Sequence, residues 1–366
     1  MNHASKLLRA LGPVLGLAAV WLLFALLAGG SFTALENQRL MLLQTAVVGT
    51  AAVGATFIIA SGGIDLSVGS TIALGTMVIA LLLDAGAGPL AAALGGVLTG
   101  VAVGVAIGSA VAGRSDVLAS IAVGGVLFGV LRDTDTASVP VALALAVLVI
   151  VVGVLLGARF APRVALSPFI VTLGMWGALR GLAKGVGDNQ PIYAPRSSLD
   201  GLMSSAESVL GLPLGVWILL AVAALAAVVL ARTPFGRHVL AVGSNARTAR
   251  LCGVDVPRTL VLVYALGVGC AGVAAVLQYG FITMGDPTTA GGYELAVIAA
   301  VVIGGASLSG GEGSIKGTLV GALIMSVVAN GCVKVGLSNW VQEIVTGGII
   351  VAAVALDRVR SRSEGA

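Results

Sequence analysis

About twelve apolar runs of roughly 15 to 24 residues, joined by short polar links, account for most of this chain: 11–29, 39–60, 68–85, 89–112, 117–131, 139–157, 168–185, 213–231, 259–279, 290–304, 316–334 and 339–356. A helix needs about 20 predominantly apolar residues to cross the hydrocarbon core of a bilayer. Most of the runs have that length, and 117–131 and 290–304 fall short of it. Composition closes the soluble alternative. Only 10% of the residues are charged while 58% are hydrophobic, whereas a soluble domain carries about 25% charged residues. The runs are continuous rather than alternating, and aromatic residues make up only 4% of the chain, which excludes an outer-membrane barrel. Helices are the remaining spanning structure. The chain is therefore expected to be an all-α polytopic membrane protein of about 10–12 transmembrane helices.

Charge sets the expected orientation. Lys6 and Arg9 precede the run 11–29, which is longer than a signal-peptide core and has no A-x-A site after it, so an uncleaved first helix is expected. With the N-terminus inside, twelve crossings place Arg114, Arg159, Arg163, the stretch 232–258, Lys316 and the tail Arg358, Arg360 and Arg362 together in the cytoplasm, as the positive-inside bias requires. The formal charge of +4 thus reports topology, and no nucleic-acid partner is expected. The polar stretch 186–212 falls outside and is a candidate contact for an extracytoplasmic partner. Cys252, Cys270, Cys332, His3 and His238 are widely spaced, so neither a disulfide nor a metal site is expected.

The longest stretch that could not lie in lipid is Arg232 to Arg258, with five arginines and one acid, Asp255. Ser244 is placed to cap a short helix, NARTARLC, which Gly253 would end and Pro257 keep from continuing. At helical spacing Arg247 and Arg250 share a face, and Ala246 and Ala249 leave the backbone open to close approach. A two-turn helix is marginal alone and needs a docking surface. The alternative is an ordinary solvated loop that obeys the positive-inside bias.

The 53 glycines mostly fall inside the apolar runs, as in GGVLTGVAVGVAIGSAVAG at 95–113, where small residues let helices approach closely in lipid. Two stretches stand apart: SGGIDLSVGS at 61–70 and GGASLSGGEGS at 304–314 share the frame Gly-Gly-x-x-Leu-Ser. Such an internal pseudo-repeat with glycine-rich interruptions points toward a transporter's substrate path, although a frame this short also arises by chance. Counting crossings puts both on the cytoplasmic side, whereas an inverted repeat would make one re-entrant. The LSGGE at 308–312 is close to the signature of a nucleotide-binding domain, but Lys6, Lys184, Lys316 and Lys334 all lack P-loop context. ATP hydrolysis by this chain is not expected.

Acids within apolar surroundings usually face a cavity or a partner, which singles out Asp65 and Glu294. Asp65 reads equally as a helix cap at a membrane edge and as a pathway residue. Thr172, Gln278, Asn330 and Gln342 are placed to bond either a solute or a neighbouring helix. Arg180 and Lys184, near the outer end of their run, are expected to snorkel.

Several segments together resemble the permease subunits of bacterial ABC importers for monosaccharides, the branch that includes ribose, xylose and galactofuranose systems. They are SGGIDLSVGS (61–70), SPFIVTLGMWGALRGLAKG (167–185), TPFGRHVLAVGSNARTARLCGVDV (233–256), the run GGYELAVIAAVVIGGASLSGGEGSIKGTLVGALIM (291–325) and Asn330-Gly331. The resemblance covers most of the chain, in order. It implies a single transmembrane permease domain over 1–366 with the ABC importer permease fold, in the bacterial inner membrane with both termini cytoplasmic. It further implies a second permease subunit, identical or homologous, a cytoplasmic ABC ATPase that carries the ATP and Mg, and a periplasmic sugar-binding protein. No cofactor in this chain is implied. Phe235, Gly236, Arg237, Gly243, Asn245, Ala249 and Gly253 match the family's cytoplasmic motif, and with Arg247 and Arg250 they form the expected ATPase-coupling segment within 232–258. Asp65, Thr172, Gln278, Glu294 and Asn330 are the candidate pathway residues. The competing reading is a secondary transporter driven by an ion gradient, with Asp65 at its ion site. Compact family members have about ten spans, so residues from about 88 to 138 read as an insertion bringing two extra apolar segments, with RDTDTASV (132–139) after them. After Glu294-Leu295 the family often carries an acid where this chain has Ala296.

Overall fold

A computed structural model describes residues 3–134, 136, 139–160, 164–204 and 208–364. Arg163, part of the 132–139 stretch (Asp135, Ala137 and Ser138) and Ser205 to Glu207 of the 186–212 loop lie outside them, as do the side chains of Lys6, Arg9 and the Arg358, Arg360 and Arg362 tail. Among the described residues fourteen α-helices follow one another: α1 His3–Ala28, α2 Gly30–Thr33, α3 Leu35–Ala60, α4 Val68–Asp84, α5 Pro89–Val111, α6 Ser115–Asp133, α7 Val139–Phe160, α8 Pro168–Val186, α9 Leu214–Arg232, α10 Pro234–Leu251, α11 Val256–Ile282, α12 Tyr293–Ile303, α13 Ile315–Val335 and α14 Asn339–Glu364. Each of the twelve apolar runs is realised as a helix. The two further helices among the described residues are the single turn α2 and α10 in the arginine-rich stretch, whose second half covers the short helix expected at NARTARLC. Strand structure among the described residues is confined to a two-residue hairpin, β1 Ser208–Val209 against β2 Leu212–Pro213.

Among the described residues five helices are long and apolar enough to cross a membrane: α3, α5, α9, α11 and α13. Shorter apolar helical stretches lie within α1, α4, α6, α7, α12 and α14. The shortest, α12, has 11 residues; at about 1.5 Å per residue it reaches only about half of a ~30 Å hydrocarbon core. Leucines such as Leu90, Leu94 and Leu98 on α5 and Leu155 and Leu156 on α7 are exposed, as helices facing lipid require.

The helix ends follow local chemistry. Pro89 and Pro168 occupy the first turns of α5 and α8, where a missing N–H costs nothing. Pro257 does the same for α11, which Asp255 caps by accepting from the Arg258 N–H at 3.1 Å. Ser314 caps α13 through the Gly317 N–H at 3.1 Å.

Two units make up the chain. The first comprises 1–62, 198–245 and 292–366. At its centre is α3, in which every residue from Thr45 to Ala60 is buried, as expected of a helix apolar on all faces. α13 packs on α3, on α1 and on α12. Phe24, Phe32, Met41, Ile324 and Val327 form one core there, and the Phe24 ring lies directly on Gly331, where a methyl group would collide with it.

The second unit comprises 63–197 and 246–291. Its most extensive pairing is α5 with α11, and the contact is backbone to backbone. A Cβ at Gly100 would lie 2.6 Å from the Val268 carbonyl oxygen, one at Gly104 would collide with the Tyr264 carbonyl, and one at Gly108 would lie 2.8 Å from the Val261 Cα. The glycine spacing of 95–113 thus forms a helix-pairing face. α6 and α7 pair with each other, α4 packs on α5, α8 and α11, and Arg114 joins Asp116 at 2.7 Å.

Candidate functional site

The arginine-rich stretch folds as two helical pieces. α10 is interrupted at Asn245, whose φ of −161° and ψ of 98° are extended, so one piece ends at Ser244 and a second runs from Ala246 to Leu251. The residue at the start of the short second helix is therefore Asn245, one position after the expected cap Ser244. Its end is as anticipated. Gly253 has φ +85°, its N–H donates to the Arg250 carbonyl at 3.1 Å, and the Val254 N–H donates to the Ala249 carbonyl at 3.0 Å, the paired bonds of a Schellman end. Arg247 and Arg250 are exposed and Ala249 is buried. Pro257 does more than stop this helix, because it opens α11.

The first piece was not foreseen, and it is anchored in the first unit. Thr233 caps it through the Gly236 N–H at 3.2 Å. Gly236 is buried, with the Val229 carbonyl oxygen 2.5 Å from where a Cβ would stand. Phe235 stacks on Phe57 of α3, ring centroids 6.3 Å apart. Arg237 is exposed. Gly243 lies against the end of α3: a Cβ there would collide with the Ala60 carbonyl and stand 2.6 Å from the Gly311 nitrogen.

That contact brings Gly62, which opens one Gly-Gly-x-x-Leu-Ser frame, and Gly310, which follows the other, to the 232–258 stretch. Ala60 accepts from the Gly311 N–H at 2.9 Å, and a Cβ on Gly310 would stand 2.7 Å from the Gly243 oxygen and 2.9 Å from Gly62. Gly62, Gly243 and Gly310 therefore share one end of the first unit. The two frames also turn alike. Asp65 accepts from the Ser67 N–H at 2.8 Å and the Ser67 hydroxyl at 2.6 Å, and Ser307, at the matching position, accepts from the Ser309 N–H at 3.3 Å.

The five candidate pathway residues are all buried, and they fall into separate groups. In the second unit Thr172 of α8 donates to the Pro168 carbonyl at 2.9 Å and to Ile64 at 3.2 Å, beside Asp65. Gln278 of α11 donates from Nε2 to the Thr289 hydroxyl at 2.8 Å, and its Oε1 has no hydrogen-bond partner among the described residues. Arg180 donates to the Pro287 and Thr289 carbonyls at 2.9 and 2.7 Å, in the non-helical link 283–292, which offers acceptors that no helix satisfies. Lys184 is exposed. In the first unit Glu294 lies in the opening turn of α12, and Asn330 exchanges amide bonds with Asn37 of α3 at 2.9 and 3.1 Å. Gln342 donates to the Leu337 carbonyl at 2.9 Å. An apolar groove of about 580 Å³ on the same unit, lined by Val14, Leu17, Trp21, Met41 and Val327, offers little to a polar solute.

Residues 117–354 match the family described as branched-chain amino acid transport system, permease component. Over 98% of its length the chain is 32% identical to the ribose import permease protein RbsC of Bacillus subtilis (strain 168), of which it covers 96%. The chain belongs to this permease family. The permease is also 34% identical, over 96% of its length, to the probable ABC transporter permease protein YphD of Escherichia coli (strain K12), covering 90% of it. To the D-allose transport system permease protein AlsC of the same organism it is 31% identical over 94% of its length, again covering 90%. No solved structure matches the permease. Its multi-pass helical fold and its membership make it a membrane component of an ABC transport system.

Proposed function

We propose that this permease is the membrane-spanning subunit of an ATP-driven importer that translocates a monosaccharide. The observation that carries the reading is similarity along nearly the whole chain to permeases named for ribose and D-allose. In this reading a periplasmic binding protein delivers the sugar and a second permease subunit, identical or homologous, completes the pathway. A separate cytoplasmic ATPase binds ATP and Mg and docks on 232–258. The permease lies in the bacterial inner membrane with both termini cytoplasmic.

The segment has the properties such docking needs. Its second helix is short, closed by a Schellman end, and presents Arg247 and Arg250 to solvent. Its first helix is gripped by α3 through Phe235 and Gly243. Movement imposed on the exposed part is thereby delivered to the bundle, and nucleotide shifts the access equilibrium only through such a difference in binding between states.

Among the pathway candidates, Gln278 is best poised for sugar hydroxyls, because its buried Oε1 is an acceptor without a partner. Asn330 has its amide committed to Asn37, which favours helix pairing. Asp65 bonds Ser67, the residue just before α4, in a local turn, and we keep it with Glu294 and Thr172 as a pathway candidate. The 88–138 stretch supplies α5, so any insertion it represents is one the second unit is now built around.

The test is sugar uptake into proteoliposomes holding the permease, with the ATPase and the binding protein added. Uptake that needs ATP and all three components is expected. Uptake that persists without the ATPase and collapses with a proton ionophore would replace this reading with the ion-driven one.

A further inference from the structure

The nearest atoms around Gly243 are backbone. The Gly243 backbone faces the Ala60 carbonyl and the Gly310–Gly311 peptide at distances that exclude even a methyl group, and a Cβ on Gly310 would also stand 2.9 Å from the Gly62 Cα. One hydrogen bond, Gly311 N–H to Ala60 carbonyl at 2.9 Å, ties the break after α12 to the end of α3. Gly310 and Gly311 hold φ of +81° and +83°, a conformation in which glycine alone is unstrained. Three chain segments distant in sequence thus meet at one point, all within the first unit. The chain also leaves that unit at Gly62 and at Asn245, so two arms of the junction continue directly into the second unit.

We propose that Gly62, Gly243, Gly310 and Gly311 are positioning residues forming the junction through which the coupling segment moves both glycine-broken helices together. A side chain interposed between two elements yields by changing rotamer. Backbone in contact with backbone has no such slack, and closely packed interiors transmit displacement rather than absorb it. Phe235 on Phe57 supplies a second hold one helical turn earlier on α3, so the first half of α10 is fixed to α3 near both of its ends. The junction rests on the functional reading above, since it is driven only if 232–258 meets an ATPase.

The experiment uses the full complex in proteoliposomes and reads sugar transported per ATP hydrolysed. Wild type is measured first for ATPase binding and ATP-dependent uptake; failure there removes the functional reading itself. Gly243→Ala and Gly310→Ala are each expected to insert and bind the ATPase while transport per ATP falls about tenfold, within the usual range of coupling between sites. The double variant is expected to be no worse than the poorer single one, because the first methyl group already opens the contact. A loss of fold would reduce ATPase binding and hydrolysis together and leave the ratio unchanged. Should Gly243→Ala fail to insert, Gly313→Ala pushes more gently on the same point, its Cβ standing 3.2 Å from Ala60 and Thr56 side-chain carbons, and is read in the same way. Variants that insert and retain the wild-type transport per ATP, or single losses that multiply in the double variant, would overturn the junction while leaving the importer reading intact.

Discussion

At the scale of single residues, several polar groups buried in this permease find their partners far away in sequence. The Asn37–Asn330 pair shows the principle, since its two amides exchange both bonds across 293 residues of chain. Removing one amide leaves the other facing an apolar site, at a cost of about 1–2 kcal/mol. Asn330→Ala is therefore expected to lower the thermal midpoint of the detergent-solubilised protein, and Asn37→Leu with Asn330→Leu to recover part of the loss. Additive losses in a double-mutant cycle would argue that the two amides do not act as a pair. Asn330 stood out in the sequence as a polar residue in an apolar run, but nothing there named Asn37 as its partner. Arg180 shows a related limit. Its position suggested a cation at the membrane edge, and only the fold reveals carbonyls of 283–292 in reach.

At the scale of elements, some apolar runs were legible almost to the residue, 213–231 as Leu214–Arg232 and 89–112 as Pro89–Val111, while 11–29 and 339–356 proved parts of the longer helices His3–Ala28 and Asn339–Glu364. The hydrophobic requirement of a span is a one-dimensional property, which explains that success. The first half of α10 was invisible because its mixed sequence, PFGRHVLAVGS, has neither the length nor the hydrophobicity of a span, and it depends on docking to α3. Gly253 was readable because a left-handed helix end has a residue code, whereas the Gly243 junction was not, since backbone contacts carry none. Two predictions belong here. Replacing Gly253, held at φ +85°, by proline breaks the Schellman end, because proline is locked near −65°. Gly253→Pro, or Arg247→Glu with Arg250→Glu, is expected to leave insertion intact and reduce ATP-driven uptake about tenfold or more; unchanged uptake would dismiss a coupling role for this helix. Gly104→Leu is expected to force α5 from α11, with an overpacking cost of about 1–3 kcal/mol or more seen as a lower thermal midpoint. An unchanged midpoint would show that the glycine face is not essential to the pair.

At the scale of the whole molecule, the all-helical membrane architecture and permease family follow from the same run of apolar segments and from relatives matched along nearly the entire chain. The proposed division of labour is that this subunit supplies the passage and the grip, while ATP chemistry and sugar capture reside on partners. A neighbouring pair of reading frames for an ATPase and a signal-bearing binding protein would accord with it. The most direct test is uptake of labelled ribose and D-allose by proteoliposomes containing the permease, its ATPase and its binding protein. The account predicts accumulation of a monosaccharide only when ATP and all three proteins are present, indifferent to a proton ionophore. Accumulation without the ATPase, abolished by the ionophore, would contradict it.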